Sequence, residues 1–274
     1  MVATVYNDGI YISLQYPFPT NEPSIRLHGQ PSLQPSSKPN SYGNAWTYSS
    51  APKLSWHDVV SDSTGLYLCA LVNNEDTSGS IWISSSGGAT WSQTIAPSLA
   101  WRSIASDSTG KYLVAGEFSS TGRIFISTSG GLDWALSGAP RMLWISIVSD
   151  ATGQYLAACT YSPGYIYTSS SWGQTWTLTS AAQVPYTQLA SDSSGRYLAV
   201  VASYSERGIW ISSSFGESWT KTTAPDYLLW TYIVSSSSGQ ILAATVSFGT
   251  IWISTSGTIY CLYCIYNSLL LLLL

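Results

Sequence analysis

A chain of 274 residues is long enough to bury a large core within one domain. Only 9% of its residues are charged and the net charge is -4, so no basic face is on offer to nucleic acid, while 13 Trp and 19 Tyr supply aromatic mass for packing. The cysteines Cys69, Cys159, Cys261 and Cys264 are too few and too unevenly spaced for a disulfide framework, and the lone C-x-x-C at Cys261 and Cys264 has no second pair and no nearby His, so no metal and no cofactor are expected.

Residues 2–14, VATVYNDGIYISL, read as two strands joined by an Asn-Asp-Gly turn. They carry no basic start and no long apolar centre, so no signal peptide is expected. Between Gln15 and Asn40 stand Pro17, Pro19, Pro23, Pro31, Pro35 and Pro39, a density that forbids a strand ladder and predicts an extended loop inserted into a hairpin. Its readings are a disordered or artefactual segment and a partner-binding arm. SYGNAW, from Ser41, resumes the strand pattern.

From Trp56 the chain repeats. Each unit offers a first strand (WRSIAS from Trp101), a turn (DSTG), a second strand (KYLVAGEF), a loop, a third strand (RIFIS) and a closing cassette. The cassettes IWISSSGGATW, IFISTSGGLDW, IYTSSSWGQTW and IWISSSFGESW end at Trp91, Trp134, Trp176 and Trp219, about 43 residues apart, and an unfinished IWISTSG begins at Ile251. Four short strands per unit with no helical period predict an all-β propeller of four-stranded antiparallel blades. First strands at Trp56, Trp101, Trp144, Tyr186 and Trp230 give five blades, and residues 2–50 most of a sixth; seven would make the chain a fragment. The turn acids Asp62, Asp107, Asp150 and Asp192 are read as caps of rim turns on the face opposite the ligand loops. The last stretch, Ile259 onward, is shorter than the ~20 residues of a spanning helix and is interrupted by Asn267 and Ser268, so it reads as a closing strand and a six-leucine tail, with no membrane anchor expected. One domain thus covers 1–266, with an insertion at 15–40 and a tail at 267–274.

The cassette resembles the Asp-box, or BNR, repeat of sialidases and related propellers, S-x-D-x-G-x-T-W. Ser84, Gly88, Thr90 and Trp91 stand at its positions, as do Ser127, Gly131 and Trp134, then Ser169, Gly173, Thr175 and Trp176, then Ser212, Gly216 and Trp219. Ser86, Ser129, Ser171 and Ser214 replace the Asp; a Ser hydroxyl can accept the same turn amides more weakly. The resemblance implies that the box is structural, with its Trp largely buried, and the related photosystem-assembly and sortilin types favour binding over catalysis.

Specific function is expected in the loops between second and third strands and between blades. These carry Glu75, Asp76, Glu117, Glu206 and Asp226, acids scattered over different blades, together with Arg207 and, in the A-P-x-x-x-W connections, Lys53 and Arg141. A sialidase needs three arginines on the substrate carboxylate and a Tyr made nucleophilic by a Glu; Arg102, Arg123, Arg141 and Arg207 remain for such a role, and no F/Y-R-I-P motif precedes the blades. Trp56, Trp101, Trp144, Tyr186 and Trp230 occupy equivalent positions and form a ring, either facing a ligand or packed between blades. The expected function is recognition of protein or glycan through the loop face, with no catalytic residues, by a monomer. A glycoside hydrolase is the alternative. Composition favours a secreted or cell-surface setting.

Overall fold

The computed structural model describes residues 2–3, 11–12, 47–74, 78–202, 207–255 and 258–261. The proline-rich stretch, Glu75, Asp76, Glu206, Cys264 and the leucine tail lie outside the described residues, and so do the expectations attached to them.

Three two-residue strands, β1 (Val2–Ala3), β2 (Tyr11–Ile12) and β3 (Thr47–Tyr48), pair in that order. Five four-stranded antiparallel sheets follow. Blade 1 holds β4 (Trp56–Ser61), β5 (Leu68–Val72), β6 (Ile81–Ser84) and β7 (Ser92–Gln93). Blade 2 holds β8 (Trp101–Ser106), β9 (Leu113–Glu117), β10 (Ile124–Ser127) and β11 (Ala135–Leu136). Blade 3 holds β12 (Trp144–Ser149), β13 (Leu156–Thr160), β14 (Ile166–Ser169) and β15 (Thr177–Leu178). Blade 4 holds β16 (Tyr186–Ser191), β17 (Leu198–Ala202), β18 (Gly208–Ser212) and β19 (Thr220–Lys221). Blade 5 holds β20 (Trp230–Ser235), β21 (Ile241–Val246), β22 (Ile251–Thr255) and β23 (Thr258–Cys261). The described residues contain no helix.

The second strands LCALV, LVAGE, LAACT and LAVVA are buried along their whole length. A strand buried on both faces belongs to a sheet pressed between two others, which is why these runs lose the apolar alternation of an open sheet. The first strands line a channel and are tied across blades. The amide of Ile147 donates to Ser103 Oγ at 3.0 Å and that of Leu189 to Ser146 Oγ at 3.0 Å.

At the far end of the channel the turns after the first strands form a chain of backbone bonds, from Ser63 N to Ser108 O, Ser108 N to Ala151 O, Ala151 N to Ser193 O and Ser193 N to Ser237 O, at 2.9–3.0 Å. The acids of these turns are buried. Asp107 accepts the Tyr112 amide at 3.0 Å on Oδ1 and the Thr109 hydroxyl at 2.5 Å on Oδ2, and Asp62, Asp150 and Asp192 repeat the arrangement. They are structural caps, as the turn chemistry implies. Their place is a correction: they surround a hollow of about 250 Å³ at the channel end and not the outer rim. Gly110 is required there twice over, by a φ of +74° and because a Cβ would fall 2.6 Å from Cβ of Tyr67 in the preceding blade.

The A-P-x-x-x-W connection also acquires a physical meaning. The indoles of Trp56, Trp101 and Trp230 donate to the carbonyls of Pro52, Pro97 and Pro225 at 3.1, 3.2 and 3.0 Å, and the Tyr186 hydroxyl donates to Ala182 O. Each cassette is then folded by two serines. Ser84 Oγ accepts the Gly88 amide at 2.9 Å and Ser86 Oγ accepts the Thr90 amide at 2.9 Å. Ser129, Ser171 and Ser214 accept the amides of Asp133, Thr175 and Ser218 at 3.0, 2.9 and 3.0 Å. The cassette tryptophans are half-buried and not largely buried: Trp91, Trp134 and Trp176 lean on Trp56, Trp101 and Trp144 with ring centroids 6.0, 6.5 and 6.3 Å apart, while the indoles of Trp91, Trp176 and Trp219 turn toward the hairpin carbonyls of Gly88, Gly173 and Gly216.

Because a carboxylate accepts more strongly than a hydroxyl, Ser86→Asp is expected to leave stability unchanged or raise it, within ~1 kcal/mol at this exposed turn. Thermal unfolding of the variant checks this, and a larger loss would mean that the turn cannot seat a carboxylate.

Candidate functional site

Antiparallel connectivity puts the loops after the second strands and the interblade connections at one end of the channel, and the Asp turns and cassettes at the other. In every complete blade the first strand is bulged after its opening aromatic, between Trp56 and Asp58, Trp101 and Ser103, Trp144 and Ser146, Tyr186 and Gln188, and Trp230 and Tyr232. A bulge re-aims the side chains around it. Here it falls at the second residue of each first strand, so the directions of the second and third residues are the ones it changes; Ile145 among them packs against the core.

Three of these residues interact: Asp58 on β4, Arg102 on β8 and Tyr232 on β20. Asp58 accepts the Val59 amide on Oδ1 at 2.9 Å and, across the blade boundary, the Ile104 amide on Oδ2 at 3.1 Å. Burial pushes its carboxyl up to about 7, against the pull of those two amides and of the Arg102 charge. Tyr232 is also raised, first by burial and then by the negative charge of Asp58, with Arg102 opposing. An acid that is half protonated near neutral pH, a phenol and a guanidinium thus share one field across the channel.

Arg102 lies over the ring of Phe118 at 5.0 Å, a cation–π contact that presents a flat guanidinium backed by an aromatic face. Beside it, Glu117 is buried and bound to Arg123, Nε to Oε2 at 2.9 Å, with the Arg123 amide donating to the same oxygen at 3.2 Å.

The residues singled out from sequence fall in three places. Trp56, Trp101, Trp144, Tyr186 and Trp230 are 0–2% exposed, so their rings are core and offer no ligand surface; the last four pack on the second and third strands of the preceding blade, and Trp56 on its own blade. Arg207 is at the loop end, where Nη1 donates to Tyr227 O at 3.2 Å, and Arg141 is exposed there; neither joins the channel cluster. Ser86, Gly88, Ser129, Gly131, Ser171, Gly173, Ser214 and Gly216 are at the opposite end, within the cassettes. Asp58 and Tyr232 were not singled out. Their signal was available: the third residue of the first strand runs Asp58, Ser103, Ser146, Gln188 and Tyr232, one repeat position that changes chemistry while the aliphatic residue after it does not. Cys69 and Cys159 are buried free thiols, both raised by burial, and so are unreactive core. Among the described residues no three His, Cys, Asp or Glu come together as a metal would require.

No family model and no curated protein matches the chain. Solved structures do. A glycoside hydrolase family 74 enzyme of Niastella koreensis superposes with a TM-score of 0.58 at 14% identity over 74% of this chain, which spans only 36% of that enzyme. A chain of the nidogen/laminin complex gives 0.58 at 16% identity, covering 74% of this chain and 76% of its own. YCF48 bound to D1 peptide gives 0.56 at 15% identity, covering 75% and 65%. Likeness at these identities establishes the β-propeller fold.

Proposed function

We propose that this chain is a recognition propeller that binds a segment of another protein at the loop end of its channel, with Arg102, Phe118 and Tyr232 as the contacting groups. The observation that carries this is the Arg102–Phe118 stack at the loop end, with the half-exposed Tyr232 near it, since arginine and aromatic side chains are enriched among the residues that dominate protein recognition. Asp58 and Glu117 are already engaged, the first by two backbone amides and the second by Arg123. Two of the structural neighbours are known with laminin or with a peptide, which supports protein over glycan as the ligand. In this reading the cassettes are Asp-box repeats with Ser for Asp, and they brace the blades.

A hydrolase reading has one observation in its favour. Asp58 rises to about 7, where a general acid should be, with a phenol and an arginine near it. Two features oppose it. A nucleophilic phenol needs a lowered pKa, whereas that of Tyr232 is raised; and one arginine, Arg102, joins Asp58 and Tyr232 where a carboxylate clasp needs three.

The test is a pair of arrays, one of peptides and one of glycans, probed with the protein and with Arg102→Ala. Peptide binding weakened at least ~10-fold by Arg102→Ala, which is ~1.4 kcal/mol, is the expected result. Binding confined to glycans, or peptide binding indifferent to Arg102, would overturn the proposal.

A further inference from the structure

The cassettes at the other end of the molecule act as wedges between blades. A Cβ on Gly131, Gly173 or Gly216 would come within 2.8, 2.9 and 2.7 Å of Ile83, Ile126 and Thr168, each on the third strand of the preceding blade. The residue just before that glycine is the tip of the wedge, and it has a positive φ in each of the four described cassettes: 60° at Gly87, 69° at Gly130, 53° at Trp172 and 55° at Phe215. Its amide is fixed each time to its own blade's turn, Gly130 to Lys111 O at 2.9 Å, Trp172 to Gln154 O at 3.2 Å and Phe215 to Arg196 O at 3.1 Å. The three tips therefore occupy equivalent positions over three equivalent grooves.

In two of these grooves the tip is aromatic. Phe215 stacks on Tyr155 of blade 3 at 4.7 Å between centroids. Trp172, 42% exposed, lies over the groove between blades 2 and 3, where about 10 Å³ remains between it and Tyr112. The groove between blades 1 and 2 has Gly130 as its tip, and it stands open with a volume of about 800 Å³. Tyr67, the counterpart of Tyr112 and Tyr155, is 50% exposed in that groove, whereas the other two are half-buried beneath their plugs. Trp172 and Phe215 are non-glycine residues held at positive φ, a conformation that L side chains rarely adopt.

We infer that the groove between blades 1 and 2 is a docking site for a Trp or Phe side chain carried by an extended segment of another protein, with an acidic residue next to the aromatic. The chain itself supplies the template for the occupant, because Trp172 and Phe215 cover the equivalent positions one and two blades along. Charge supplies the flank. Lys111 lines the groove, with its ammonium 5.4 Å from the centre of the Tyr112 ring at the edge toward blade 3, and among the described residues no carboxylate lines it. Ser85, Thr90 and Ser92 on the same wall offer hydroxyls to a peptide backbone. A hollow of about 340 Å³ between blades 4 and 5 has the analogous wall at Tyr197, but the tip of that cassette lies outside the described residues, so the inference is confined to the first groove. This site is at the opposite end from Arg102 and stands apart from the function proposed above.

The probe is the peptide acetyl-Gly-Asp-X-Asp-Gly-amide, with X a diazirine-bearing phenylalanine, photolysed with the full chain and mapped by mass spectrometry. Labelling is expected on blades 1 and 2 at Tyr67 and Leu132. Gly130→Trp, which copies Trp172, should reduce that labelling at least ~10-fold, and exchanging Asp for Asn in the peptide should weaken it severalfold. Trp172→Gly should open the next groove and add a new label at Tyr112, a gain that a merely damaged fold would not produce. Absence of label at the first groove, label there unchanged in Gly130→Trp, or no new label in Trp172→Gly would each overturn the inference.

Discussion

Replacing Trp101 by alanine is expected to lower the free energy of unfolding by about 3–5 kcal/mol. The indole is 0% exposed, meets Phe125 edge-on at 5.5 Å and leans on Trp134 at 6.5 Å, and its N–H is taken up by Pro97 O. Truncation removes all of this from the seam between blades 1 and 2, where Leu71, Ile81 and Leu113 share the cluster. The surrounding strands are held by ladders on both sides and cannot collapse into the space, so the cavity cost adds to the transfer cost. Trp134→Ala should cost clearly less, because that ring is half-buried and its indole nitrogen has no partner. Urea unfolding of both variants decides the matter; a loss under ~1 kcal/mol for Trp101→Ala would mean that the seam is not packed as described.

The second large effect is a dependence on pH. Asp58 is raised from 3.8 to about 7 in the folded chain, so between these values the folded state holds a proton that the unfolded state releases. Stability from this group is therefore fully present below pH ~4, is lost as pH rises toward 7, and is flat above. Fully realised, a rise of about three pH units is worth ~4 kcal/mol; the water that the side chain still meets in the channel brings this to on the order of 1–2 kcal/mol. Asp58→Asn has no proton to lose. Its stability relative to the parent should rise by that amount between pH 4 and pH 8, as read by thermal melts at each pH. A constant difference over this range would place Asp58 in a fully solvated setting.

The blades were legible because the sequence states them repeatedly. IWIS, IFIS and IYTS before a glycine turn and a closing Trp can only pair one way, and the opening aromatic of each first strand sets the seam between blades. Asp turns were legible as caps but not as the far mouth of the channel, since turn chemistry says how a carboxylate is satisfied and nothing about which turns meet. The channel cluster was harder still. Asp58 and Tyr232 come from strands far apart in the chain, and the bulge that changes their direction follows from pairing register, which no local pattern encodes. The same holds for the open groove. Gly130 in SGGLDW reads as one more turn glycine, and only the positions of Trp172 and Phe215 in the folded repeats show it to be a missing plug.

Whether the channel recognises or hydrolyses is best decided by measuring release of reducing ends from a panel of polysaccharides and aryl glycosides, with the parent protein and Asp58→Asn side by side, from pH 4 to pH 8. A recognition propeller predicts no turnover by either protein at any pH. Turnover by the parent that falls off as pH passes about 7 and is abolished in Asp58→Asn would contradict the account and make Asp58 a general acid.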